Sequence, residues 1–248
     1  MTPLNRASID VVMRVDDPAG RPIEIDRDVV RRSYMALKAM ARTLYARHRP
    51  PERFPEEGLS MSFYEPGPGA VVFEAQVVAD VRGRVGDQPT PLGADNPEPV
   101  RTAEQALRLS VLGLVEIVRA FGFVLAAPQT VREVRCGHVD LTEADDGQHL
   151  RVSPEVDYGL MHGSFDAQMR EFLSGLTREG VGAVSLAYGA EAKRSRIQHM
   201  VIATDRVLEF VRGAQVQRPI DRRSTDPDPD PDPEPGAGLD ADAKPGAA

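Results

Sequence analysis

The sequence predicts an α+β fold, with antiparallel hairpins packed against about three helices and an acidic C-terminal tail outside the folded body. Three observations lead there. Short alternating runs rich in Val, Ile and Thr are separated by Asp, Gly and Pro clusters, which is the pattern of hairpins. Three longer segments, near 27–47, 102–127 and 154–176, carry apolar residues at helical spacing. Residues 226–235 then alternate strictly between acid and proline. Proline there removes every second backbone donor and fixes φ, so neither a helix nor a central strand runs through. The tail is expected to be disordered and extended in polyproline II geometry, at about 3.1 Å per residue.

Residues 8–15 read as a first strand, and Asp17-Pro18-Ala19-Gly20 as a type I turn into a short strand over 22–25. Asp26 is placed to cap a helix over 27–47, with Val30, Leu37, Ala41 and Leu44 on one face and Pro50-Pro51 as its stop. Strands over 59–64 and 70–82 follow, joined by Pro66-Gly67-Pro68-Gly69. Thr102 is expected to cap the apolar helix that Pro128 ends.

The second half reads similarly. A strand over 131–141 meets the turn Asp145-Asp146-Gly147 and a strand over 148–152, with His149 opposite Thr142 if Asp145-Asp146 centres the hairpin. Ser153-Pro154-Glu155 opens a helix to about residue 176, with a break expected near Ser164. Strands over 181–188 and 197–204, separated by a turn through 191–195, and a short element over 205–212 complete the body. The globular body is therefore assigned to 1–215 and the tail to 216–248. The shared order strand, turn, strand, helix, strand, turn, strand raises the alternative of two similar ββαββ lobes, 1–125 and 126–215. Residues 83–101, with four prolines and three glycines, read as a long loop.

The net charge is −8, but residues 224–248 hold seven acids against Lys244, so the tail supplies −6 of it. The body is near neutral. Cys136 is the single cysteine, so no internal disulfide forms, and the first residues show no apolar signal region. Arginine outnumbers lysine 27 to 3, and Ala, Gly and Pro are abundant, a composition common to GC-rich bacterial genomes. A cytoplasmic bacterial protein is expected. Glu116 and Arg119 interrupt the apolar run 109–127, which favours a core helix over a membrane span.

The familiar phosphate, dinucleotide, zinc-protease and hydrolase fingerprints are absent. No cofactor and no metal site is expected. Cys136-Gly137-His138 would put a thiol and an imidazole on one side of a strand, but tetrahedral zinc needs four converging ligands. His162, Ser164 and Asp166 are the residue types of a hydrolase triad, yet neighbours this close rarely converge, and Ser164 reads more simply as a helix cap. The clearest charge signal is the first helix. Residues 27–53 hold eight bases and two acids, and Arg27, Arg31, Lys38 and Arg42 fall within about 60° on a helical wheel. Arg49 joins them if the helix reaches it, and Tyr34 and Tyr45 flank the stripe.

These features point first to a non-enzymatic protein-interaction or regulatory module with an unidentified protein partner. One alternative is an enzyme whose site is not a linear motif. Another is binding of a polyanion or nucleic acid through the basic helix, on Arg31, Lys38, Arg42 and Arg49.

Overall fold

The computed structural model describes residues 6–48, 59–64, 69–80, 83–85, 88–90, 98–127, 129–189 and 200–222. Arg49, the Pro50-Pro51 stop, Pro66–Pro68, the turn through 191–195 and the acid–proline tail lie outside the described residues.

The fold is mixed α+β. A five-stranded antiparallel sheet has the order β10-β9-β1-β3-β2, where β1 is Arg6–Asp16, β2 Leu59–Phe63, β3 Val72–Asp80, β9 Ala183–Tyr188 and β10 Met200–Val201. A four-stranded mixed sheet has the order β11-β6-β7-β8, where β6 is Thr130–Arg135, β7 His138–Glu143, β8 His149–Val152 and β11 Ile220–Asp221. A small ladder joins β4 (Gly83–Val85) to β5 (Gln88–Thr90). The helices are α1 Arg27–His48, α2 Glu98–Ala126, α3 Pro154–Met161, α4 Asp166–Arg178 and α5 Asp205–Val211.

Period-two alternation positions the first sheet. Val11, Met13 and Val15 on β1, Phe73, Ala75 and Val77 on β3, and Val184 and Leu186 on β9 share one buried face. Helices α1 and α2 cover it. The apolar stripe Val30, Leu37, Ala41 and Leu44 is fully buried, as its spacing predicts. Asp26 also does what its position predicts, accepting from the Asp28 backbone amide at 2.7 Å. Helix α2 touches strands of both sheets, so its buried arc is wide. It is long and apolar enough to cross a membrane, yet 67% of its most apolar window is buried inside the protein. One hydrophobic core runs through both sheets and all five helices.

Several elements differ from the sequence expectation, each for a local reason. Residues 22–25 form a single bridge, Asp16 to Pro22, because proline offers no amide for a ladder. The segment 83–101 is not one loop: it holds β4 and β5, and α2 starts at Glu98, a turn before Thr102. Glu98 and Pro99 are both suited to a first helical turn. The expected strand 131–141 is a hairpin folded at Cys136-Gly137, where Gly137 has φ +79° and Arg135 faces His138. The helix break near Ser164 is real, but the residue preceding α4 is Phe165, and Ser164 makes no side-chain cap.

Among the described residues five helices form, where about three are expected, since α3 and α4 separate and α5 is helical. Strands β9 and β10 from the second half complete the sheet built on β1 from the first, so 1–125 and 126–215 do not fold as two separate lobes. The body also extends past 215: Val216 is buried, Arg218 pairs with Asp166, and β11 adds to β6 in parallel.

Candidate interaction surface

The four-stranded sheet has two unlike faces. Its inner face carries Val139, Leu141, Leu150 and Val152, all buried against the helical layer. Arg132 joins them at the edge of that layer. Its Nε donates to Asp157 Oδ1 at 3.1 Å and its Nη2 to Asp157 Oδ2 at 2.7 Å, and its Nη1 donates to Asp221. Strands β6 and β11 are thereby locked to α3.

The outer face holds the alternate residues Glu133, Arg135, His138, Asp140, Arg151 and Arg222. Arg222 donates to Glu133 at 3.2 Å, and Glu133 in turn lies 2.8 Å from Arg135. Arg135 reaches Asp140 at 3.1 Å, and Asp140 accepts from Arg151 at 3.2 Å. The result is an alternating chain of five charges that crosses from the β11 edge to β8. His138 Nε2 stands 3.5 Å from Asp140 as a side branch.

The two acids and the three arginines differ in exposure. The Asp140 side chain is 17% exposed, whereas Arg135, Arg151 and Arg222 are 53%, 68% and 69% exposed. Partial desolvation works to raise the Asp140 carboxyl, but the Arg151 hydrogen bond and the Arg151, His138 and Arg135 charges outweigh it, and the group sits below its ordinary value. The carboxylates thus hold the guanidinium groups in place, and the guanidinium groups keep donors toward solvent.

The residues singled out from sequence take other places. Cys136 is exposed in the β6–β7 turn while His138 begins β7, so the two do not share a strand face. Among the described residues no three His, Cys, Asp or Glu side chains converge as a metal group. Asp166 is engaged by both terminal nitrogens of Arg218, at 3.3 and 2.6 Å, and His162 packs edge-on against Tyr158 with ring centroids 4.1 Å apart. No triad forms.

On α1, Arg31 and Arg42 are exposed and Lys38 is half-buried, so these three share the outward face as the wheel predicts. Tyr34 and Tyr45 do not flank it; both are buried. The Tyr34 hydroxyl donates to the Phe73 carbonyl at 2.6 Å, and burial pushes its pKa far above the ordinary phenol value. Exposed Met35 occupies the stripe instead.

Two of the clefts in the structure are lined by described residues. One, of about 190 Å³, is floored by Val124, Leu125 and Phe210 and rimmed by Arg206, Glu209 and Gln217. Arg206 is already committed to the Ala127 carbonyl. The other, of about 50 Å³, is lined in part by His48, Glu116 and Glu155, and Glu116 accepts from the Ser153 amide at 3.0 Å. Both fall below the roughly 300–1,000 Å³ usual for organic ligands.

The charged sheet face was not legible as a motif. Its only linear signal is the charge alternation within 131–140, and the Asp140–Arg151 and Glu133–Arg222 pairs depend on strand register. Comparison of the chain with family models, curated proteins and solved structures gives no match.

Proposed function

We propose that this protein is a cytoplasmic, non-enzymatic interaction module that docks a protein partner on the outer face of its four-stranded sheet. The observation that carries this reading is the Arg222–Glu133–Arg135–Asp140–Arg151 chain, laid across β6, β7 and β8 and begun by Arg222, the residue after β11. Exposed ion pairs contribute about 0–1 kcal/mol each, so fold stability is a weak reason for such an array. Recognition is a better one. Three guanidinium groups on a rigid sheet, each positioned by a carboxylate, present forked donors that match carboxylates on an incoming surface. Arginine is also a frequent energetic anchor at protein interfaces. The face has three arginines against two acids, which selects a partner with an acidic docking surface.

The test is affinity capture with the full chain and with R135E/R151E/R222E, after thermal melts establish that the variant is folded. A partner that binds the parent chain, and binds the variant at least tenfold more weakly, supports the reading. A partner held equally by both would move the interface elsewhere. No partner for either would sink the proposal.

A further inference from the structure

The outward face of α1 is basic, carrying Arg31, Lys38 and Arg42. Arg31 and Lys38 have no carboxylate partner among the described residues. Among the described residues, Arg32 donates from Nε to the Asp28 carbonyl at 3.4 Å, and Arg42 from Nε to the Leu59 carbonyl at 3.3 Å. Asp28 is the only acid in the helix. The sheet face described above is different, because Glu133 and Asp140 already sit between its arginines.

The chain itself supplies an acidic strip beyond residue 222, with Asp226, Asp228, Asp230, Asp232 and Glu234 at every second position. Its root lies near α1. Asp221 pairs with Arg132, Arg132 holds Asp157 on α3, and the next residue, Tyr158, lies under the Arg47 guanidinium at 5.7 Å. Arg47 is in the last turn of α1. The chain therefore leaves the body one short helix away from the C-terminal end of α1. Residues 224–248 reach about 75 Å if extended, ample to run along it.

The dimensions also agree. Alternate residues of an extended acid–proline segment are about 6 Å apart, close to the rise of about 6 Å between α-helix positions four apart, such as Lys38 and Arg42. The five acids span about 25 Å, against about 17 Å from Arg31 to Arg42. Three-residue turns in polyproline II mean that not all five carboxylates face the helix at once. The surplus acids let the strip engage in several registers.

We propose that the Asp226–Glu234 segment docks on the outward face of α1, over Arg31, Lys38 and Arg42. It acts there as an internal polyanion that occupies this face against external acidic ligands. The contacts are exposed and salt-screened, so the docked state exchanges readily and weakens as the Debye length falls from about 10 Å at 0.1 M salt to about 3 Å at 1 M.

Carbodiimide cross-linking of the full chain tests this, because it joins a carboxylate to an amine only in close contact. The chain has three lysines, Lys38, Lys193 and Lys244. At about 0.02 M salt the monomer should yield peptides joining Lys38 to acids within 226–234, and these should disappear above about 0.5 M. R31E/R42E should cut their yield several-fold, with R31E alone as a second variant should the pair fail to fold. K38R abolishes the product and identifies the amine. No Lys38–tail peptide at low salt overturns the proposal. So does a yield unaffected by charge reversal, or linkage found only between differently isotope-labelled chains. Tail linkage to Lys193 in place of Lys38 overturns it as well.

Discussion

Arg132 on β6 and Asp157 on α3 form a two-bond guanidinium–carboxylate pair whose side chains are only 17% and 7% exposed. The pair joins the second sheet to the helical layer, and Asp221 of β11 binds the same guanidinium from the other side. The hydrogen bond to Asp157 is the foremost reason that the Arg132 pKa is raised; partial burial opposes it, and the Asp221 contact adds to it.

Removing either partner should have unequal consequences. Arg132→Ala strands a buried carboxylate and should cost about 3 kcal/mol, while Asp157→Asn should cost less because Arg132 retains Asp221. Urea unfolding of both variants measures the difference. Equal losses would mean that Asp221 contributes nothing to holding the arginine.

Gly182 sits where the chain crosses residues 17–18. A Cβ there would lie 2.3 Å from Pro18 N and 2.4 Å from the Asp17 carbonyl carbon. Both atoms are backbone and have no rotamer to yield. The Gly182 amide also donates to Asp16 at 2.7 Å, which fixes the approach. Gly182→Ala should therefore destabilise by about 1–3 kcal/mol, read as a lowered denaturation midpoint with unchanged slope.

Asp140 gives the charged face a pH signature. Its carboxyl is below its ordinary value in the folded protein, so the folded state favours the ionised form. The contribution is present above the unfolded aspartate pKa and is lost as pH falls through the lower folded value. Thermal melts from neutral pH into the acid range should show the parent chain more stable than D140N near neutrality, with the gap closing below the ordinary aspartate range. A gap that widens on acidification would contradict the arrangement.

Heparin affinity reads the balance between the tail and α1. The full chain with D226N/D228N/D230N/D232N/E234Q should elute from immobilised heparin at higher salt than the parent. Adding R31E/K38E/R42E should remove that gain. A gain that survives the triple change would come from overall charge and not from the α1 face.

The elements that were legible from sequence are those governed by neighbours along the chain. Alternation gave β1, β3 and β9; the stripe Val30, Leu37, Ala41, Leu44 gave α1 and its buried side; Asp26 gave its start. The hairpin register placing Thr142 opposite His149 followed from centring the turn on Asp145-Asp146. The wheel also placed Arg31, Lys38 and Arg42 together correctly. It placed Tyr34 and Tyr45 wrongly as surface companions, because their positions border the sheet-facing side, and burying an aromatic ring there with a hydrogen bond for Tyr34 wins over exposure.

What local pattern could not decide were the pairings between distant segments. That β9 joins β1, that β11 continues the body beyond 215, and that Arg132 finds Asp157 and Asp221 all depend on chain closure across many residues. The same holds for the outer charged face. Glu133, Arg135, Asp140, Arg151 and Arg222 are unremarkable singly, and strand register brings Arg222 to Glu133, and Arg135 and Arg151 to Asp140, within 3.2 Å. By itself the sequence determined an α+β body, a basic helix face and an acidic strip beyond it, because periodicity and local charge are short-range properties. Tertiary structure alone decided which distant charges pair, as Arg132 with Asp157 and Arg222 with Glu133, because that depends on what packing places opposite them.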